Sequence, residues 1–173
     1  MAFGLLMWLV LLGAASLMAW MVVRSRSRYR QARAQEDEMS DFFETRTAGR
    51  VDEVENRLEA ALKERKFGTL HVHDVTGTLN SKGVPFDTPM RIMDICHPHH
   101  ARKALDATGN RIAPLLPCSV ALWQEGDEVV VRFLRPTALA RFFPGAAELA
   151  GLAKEVNVAV EAAVEQATGD TQK

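Results

Sequence analysis

The side chains in this sequence best suited to chemistry are those of its two cysteines, Cys96 and Cys118. Cys96 closes one predicted strand and Cys118 opens another, so an antiparallel arrangement would bring the two thiols near each other. The sequence leaves three roles open for them. They are buried packing residues, or they bind a ligand, or they form a redox pair in which Cys96 is the nucleophile and Cys118 resolves it.

Histidines surround the first cysteine, and imidazole with thiolate is a ligand set suited to zinc, copper or iron. Two further histidines alternate along a neighbouring predicted strand and so share one face of it. The spacing Cys-His-Pro-His-His matches no established metal signature. The candidate metal or ligand-binding residues are Cys96, Cys118, His97, His99, His71 and His73, with Cys96, Cys118 and His97 as the leading ligands of a transition metal.

A thiol nucleophile would also need a base. Alternation along a strand points Cys96 and His97 to opposite faces, which favours His99 or a histidine of the His71 and His73 strand. No Gly-rich phosphate loop, Gly-x-Ser-x-Gly elbow or His-Glu-x-x-His helix occurs in the sequence. The aspartates are scattered without an acid and base pairing, and Asp94 in an apolar strand is typical of a structural carboxylate. Catalytic residues therefore stay unknown, and the sequence does not decide whether the protein is an enzyme.

The hydrophobic periodicity of the sequence predicts the elements that position these residues. It indicates an α+β domain with an antiparallel sheet of about four to five strands backed by helices. Val51, Val54, Leu58 and Leu62 recur at helical spacing. The apolar runs 119–123 and 128–134 flank a Gln-Glu-Gly-Asp turn and form the clearest hairpin. The other predicted strands are 41–47, 69–75 and 91–96, and the other predicted helices are 101–108, a short one over 137–143 capped by Thr137, and 146–167.

The sequence begins with an apolar run from Ala2 to Val23 that contains no charged residue. At about 1.5 Å per residue a helix of this length is about 33 Å long, close to the ~30 Å hydrocarbon thickness of a bilayer. The run is longer than the core of a signal peptide and has no basic residue before it. We therefore expect one transmembrane helix that anchors the protein.

Basic residues beside a membrane span are retained on the cytoplasmic side. They follow this span directly, as Arg24, Arg26, Arg28, Arg30 and Arg33. The expected location is the bacterial inner (plasma) membrane, single-pass, with the soluble domain facing the cytoplasm, where a structural disulfide is improbable. The predicted organisation is an anchor over 1–23, a basic then acidic juxtamembrane segment over 24–49, a soluble domain over 50–167 and a disordered tail over 168–173.

Charge restricts the partners of the soluble part. From Arg50 onward acidic residues slightly outnumber basic ones, and the whole chain has a formal net charge of -1. Nucleic acid binding needs a positive footprint that releases counterions. The composition excludes nucleic acid and leaves the lipid bilayer as the expected partner.

Two strings then resemble a known family. Cys96-His97-Pro98 follows an apolar strand, and Leu115-Leu116-Pro117-Cys118-Ser119-Val120 leads into the hairpin. Together with Phe67-Gly68-Thr69-Leu70 ahead of His73-Asp74-Val75, they resemble the domain of unknown function 302 family over about residues 42–164. That family shows asparagine where this chain has His97 and Ser119.

The resemblance implies a TATA-binding-protein-like arrangement of sheet and helices, often paired into homodimers, and it implies no activity. The sequence thus indicates a membrane-tethered α+β binding domain that takes a metal or small ligand near Cys96 and Cys118. A thiol-dependent redox protein and a purely structural interaction module remain the alternatives.

Overall fold

The computed structural model describes residues 41–169 of the chain. The predicted anchor over 1–23, the predicted juxtamembrane segment up to residue 40 and the end of the polar tail lie outside these residues. Within residues 41–169, no helix combines the length and the apolar character that crossing a membrane requires.

One antiparallel sheet of five strands forms the frame of the domain, with the strand order β1-β5-β4-β3-β2. This confirms the predicted α+β fold and its antiparallel sheet. The alternating apolar side chains of the inner strands place one face of the sheet against helices. The strands are β1 Phe42–Ala48, β2 Gly68–Asp74, β3 Met90–Cys96, β4 Cys118–Glu125 and β5 Glu128–Leu134.

Five α-helices and one short 3-10 helix connect and cover the strands. The α-helices are α1 Val51–Glu64, α2 Val75–Ser81, α3 Pro98–Thr108, α4 Pro136–Ala140 and α5 Ala147–Thr168, and the 3-10 helix is Ala113–Leu115.

Two groups of buried side chains hold the described part of the chain together. The larger group joins α1 and α5 to the inner face of the sheet, with Leu58, Met93, Val120 and Val160 at most 1% exposed. The smaller group joins α3 to the first turns of α5 through Ala104, Ile112, Leu149 and Leu152. Helix α5 therefore contributes to both groups, and its N-terminal half passes the end of the sheet where the cysteines lie.

The observed helices differ from the predicted ones at three places. Helix α3 begins at Pro98 rather than residue 101, because proline fits the first turn of a helix and the His97 side chain caps it. Thr137 lies inside α4 and caps nothing, since Arg135 occupies the N-cap. Helix α2 was not predicted, and its threonine, glycine and asparagine content gives it a weak helical pattern.

The folded unit also extends further towards the N-terminus than the predicted domain. Strand β1 pairs with β5 along its whole length, from Phe42 opposite Leu134 to Ala48 opposite Glu128. The compact unit begins at Asp41, whereas the sequence places the start of the domain at Arg50. The predicted strand over 41–47 is thus part of the sheet and not of a juxtamembrane segment.

Candidate functional site

A pocket of about 60 Å³ opens where β3 ends and β4 begins, and helices α3, α4 and α5 complete its wall. Most of the wall is apolar. Its four side chains with chemically active atoms are Cys96, Cys118, His97 and His100, and its large apolar side chains are Phe67, Ile95, Leu116, Leu139, Leu149, Leu152 and Val156. We call it the thiol pocket.

Strand register brings the two cysteines to this pocket. Cys118 pairs with Ile95 across β4 and β3, and Cys96 is the next residue and the last of β3. Both thiols are free and partly buried. Both cysteines therefore reach the wall of one pocket from the ends of neighbouring strands.

His97 lines the same pocket as Cys96, so the prediction that the two point to opposite faces is wrong. Strand alternation ends at Cys96, and His97 is the N-cap residue of α3. Its Nδ1 accepts a hydrogen bond from the backbone N–H of His100 over 3.4 Å. The two imidazole rings stack with their centroids 4.0 Å apart, and the edge of Phe67 packs on His97.

The site also includes His100, which the sequence did not single out as a candidate. A residue three positions after an N-cap lies over that cap on the helix, and this spacing is the signal that could have found it. Nδ1 of His100 is buried and has no hydrogen-bond partner within residues 41–169. Its Nε2 lies 3.7 Å from a carboxylate oxygen of Glu155 on α5. A buried polar atom without a partner costs free energy that a ligand could recover.

The other three candidate histidines do not reach the thiol pocket. His99 is exposed and forms no part of its wall. His71 and His73 lie on β2, where His71 pairs with Asp94 of β3. Because Ile95 faces the pocket side, the adjacent Asp94 and its partners lie on the opposite face of the sheet. The predicted shared face of His71 and His73 is present, and it is not the face of the cysteines.

Asp94 organises that second group of polar side chains. His73 Nε2 lies 2.8 Å from Asp94 Oδ2, and the Ser119 hydroxyl donates to Asp94 Oδ1 over 2.8 Å. The hydrogen bonds from His73 and Ser119 lower the pKa of Asp94, against the opposing effect of burial. The carboxylate separates serine from imidazole, so no base is in contact with the hydroxyl as a catalytic triad requires. This supports a structural carboxylate, as Asp94 was interpreted from the sequence.

No group of three or more His, Cys, Asp or Glu side chains in residues 41–169 is placed to hold a metal ion. The leading set predicted from the sequence, Cys96, Cys118 and His97, therefore does not converge as a three-ligand centre. The reason is local: His97 Nδ1 is engaged in capping α3, and its ring stacks on His100.

Burial controls the protonation of the thiols. It raises the pKa of Cys96, and it raises the pKa of Cys118 to about 11, with a further contribution from the negative charge of a Cys96 thiolate. Burial also lowers the pKa of His97, helped by the nearby charges of His100, His99 and Lys66. Both cysteines are thus thiols near neutral pH, whereas a catalytic cysteine is activated by a lowered pKa.

Comparison with known proteins places this geometry in a family. Residues 43–167 match the family described as Domain of unknown function DUF302. The crystal structure of an uncharacterized conserved protein DUF302 from Bacillus stearothermophilus superimposes with a TM-score of 0.68 and 27% sequence identity, over 73% of this chain and 98% of that chain. Among curated proteins, none matches this chain. The family match covers more than half of the sequence and includes both cysteines, so the chain belongs to the DUF302 domain family.

Proposed function

We propose that this protein is a membrane-tethered binding module whose thiol pocket receives a small, thiol-seeking ligand. The observation that carries the proposal is that both cysteines of the chain line one mostly apolar pocket. Buried, unpaired cysteines used only for packing would not need a pocket beside them.

The protonation of the cysteines favours binding over thiol redox catalysis. A redox nucleophile must be a thiolate to attack, and burial holds both thiols in the protonated form. The pocket is therefore suited to a ligand that itself displaces the thiol protons.

The size of the pocket restricts the ligand further. An apolar cavity of about 150 Å³ accommodates one benzene molecule, so a pocket of about 60 Å³ holds only a few atoms. Nucleotide and flavin cofactors are much larger than this space. We therefore propose a single ion or a small group as the ligand.

Two thiol reagents of different size and charge test the proposal. Methyl methanethiosulfonate is small and neutral, whereas its trimethylammonium-ethyl analogue is bulky and charged. The rates are compared in the folded full-length chain in detergent and in denaturant. We expect the ratio of the neutral reagent's rate to the charged reagent's rate to be roughly tenfold higher in the folded chain, because only the neutral reagent enters an apolar pocket. Mass spectrometry measures both rates.

A matched pair of variants locates the entry route. Ala140 lines the thiol pocket, whereas Ala150 is exposed on α5 and lies outside it. Ala140→Trp should slow the neutral reagent and Ala150→Trp should not, with circular dichroism confirming that both variants fold. Equal rates for the two reagents, or an unchanged rate in Ala140→Trp, would contradict a functional pocket.

The membrane tether is the second part of the proposal. It is supported by the uncharged run from Ala2 to Val23 and by the arginines that follow it. We expect the full-length chain to stay with membranes after a carbonate wash, and protease added to intact spheroplasts to leave the domain uncut. Release by carbonate would contradict the anchor, and digestion in spheroplasts would contradict the cytoplasmic orientation.

A further inference from the structure

The number of ligands that converge in the thiol pocket decides which ion it suits. Within the described residues, no third His, Cys, Asp or Glu joins Cys96 and Cys118 in a metal-binding group. Zinc sites need three or four protein ligands in a tetrahedral arrangement. Cu(I) has a filled d shell, prefers soft thiolate ligands and is satisfied by two of them in a nearly linear arrangement.

We infer that the thiol pocket binds one Cu(I) ion between the Sγ atoms of Cys96 and Cys118, an inference that rests on the proposed function of the pocket. Cys96 is the last residue of β3, Cys118 is the first residue of the neighbouring strand β4, and both residues line the pocket. These strands belong to the core of the sheet, so the two ligands are held by rigid elements.

The apolar wall favours two-coordinate Cu(I) over ions that retain water. Leu116, Leu139, Leu152 and Val156 line the pocket and offer no oxygen or nitrogen ligand. The imidazoles of His97 and His100 also lie on its wall, and within residues 41–169 neither completes a three-ligand group with the cysteines. A strongly hydrated ion such as Zn²⁺ would lose its water ligands there without replacement. Cu(I) bound by two thiolates needs no water to complete its coordination.

The charges around the pocket matter because the copper-bound thiolates carry a net charge of their own. Two thiolates and one Cu(I) ion carry a single negative charge. His97, His99, His100 and Lys66 lie together on this side of the domain, close enough for their charges to affect one another. Glu155 is the carboxylate that contacts this group, through His100. A positive charge such as that of Lys66 would stabilise the anionic complex, which an apolar wall alone would not.

Proton balance gives the inference a measurable signature. Each cysteine loses one proton when its sulfur bonds to Cu(I), so two protons leave per ion bound and no electron is transferred. A cysteine thiol with an ordinary pKa is already mostly protonated at neutral pH. The affinity should therefore rise by about two decades per pH unit below the thiol pKa values.

The experiment is an anaerobic competition for Cu(I) between the full-length chain, purified in detergent without a histidine tag, and the chelator bathocuproine disulfonate. We expect one Cu(I) per chain, and a loss of affinity of roughly 100-fold or more in Cys96→Ser and in Cys118→Ser. Ser119→Ala is the matched control, because Ser119 follows Cys118 and points to the opposite face, towards Asp94. It should leave Cu(I) affinity unchanged.

Two further measurements define the geometry. The pH dependence below about pH 7.5 should show the two-proton slope, and a slope of one would mean that a single thiolate binds. X-ray absorption of the copper-loaded protein should show two sulfur neighbours and no nitrogen. A nitrogen neighbour would overturn the two-coordinate site.

Failure of the inference is distinguishable from failure of the proposed function. If the small neutral thiol reagent enters the pocket and Cu(I) does not bind, the pocket stands and copper is not its ligand. If Cu(I) binding persists in the variant that lacks both cysteines, the ion binds elsewhere in the chain and the inference is wrong. If neither reagent nor ion reaches the thiols, the cysteines are packing residues.

Discussion

Cys118 shows how burial alone can determine what a side chain does. Its thiol lies at the first residue of β4 among apolar neighbours, and its pKa rises to about 11. A thiol of this kind is a poor nucleophile, since it is almost never ionised near pH 7. It can still serve as a ligand for an ion that bonds to sulfur strongly enough to displace the proton.

The raised pKa makes the stability of the domain depend on pH. The folded state holds the Cys118 proton more tightly than the unfolded chain, so this stabilisation is present below about pH 9 and is lost between about pH 9 and 11. In Cys118→Ser this loss should be absent. We expect wild type to lose roughly 2–3 kcal/mol more than the variant over that range, measured by urea unfolding under reducing conditions. Equal losses in both proteins would contradict the burial of the thiol.

At the level of single residues, the sequence predicts part of the site. The sequence shows where two apolar strands end, and Cys96 and Cys118 were grouped because they lie at those ends. The role of His97 was missed, because the point where a strand stops and a helix cap begins decides the direction of a side chain. His71 and His73 were grouped with the cysteines because sequence alternation shows which residues share a face and not which of the two faces it is.

The elements with strong periodicity were predicted well. Helix α1 has buried residues at Val51, Val54, Leu58 and Leu62, and the β4–β5 hairpin turns at Gly126. Helix α2 was missed because it has no buried residue to create a pattern. Its start is held by Asp74, whose Oδ1 accepts from the backbone N–H of Gly77 over 2.9 Å. Such a local cap is difficult to recognise where the strand before it also ends in polar residues.

Two glycines, one inside a helix and one in a turn, give opposite predictions for the same substitution. Gly151 lies within α5, is exposed, and has no atom within 4 Å of the position of an added Cβ. Gly151→Ala should therefore raise the free energy of unfolding by about 0.5–1 kcal/mol, because alanine loses less backbone entropy in a helix.

Gly126 provides the contrast, since its φ of +60° in the β4–β5 turn is unfavourable for any residue with a Cβ. Gly126→Ala should lower the free energy of unfolding by about 1–2 kcal/mol. Chemical denaturation of both variants measures the two effects. A destabilised Gly151→Ala would mean that α5 is constrained in a way that its open surroundings do not indicate.

For the whole molecule, the sequence predicts the fold class and the family resemblance, and the family match confirms both at the level of the DUF302 domain. The N-terminal boundary was missed because β1 follows an acidic stretch. Its residues alternate between exposed and partly buried, and none is fully buried. An edge strand of this kind is recognised by its partner β5 rather than by its own composition. The homodimer implied by the resemblance stays a prediction.

The position of β1 predicts where the chain can be shortened. A chain that begins at Asp41 retains all five strands and should fold as the full-length protein does. A chain that begins at Arg50 loses β1 and exposes the edge of β5 that pairs with it, so we expect it to aggregate or lose cooperative unfolding. Circular dichroism and light scattering test both, and light scattering also reports whether the first chain is a dimer. A cooperative chain from Arg50 would show that β1 is dispensable.

The position of strand β1 also affects how the chain folds while it is being synthesised. Phe42 is translated early, yet its partner Leu134 emerges much later, and α5, which completes both buried groups, later still. Until then β1 presents an unpaired hydrogen-bonding edge to other nascent chains. We therefore expect misassembly to increase when the chain is overproduced, because more nascent chains with this exposed edge are then present together.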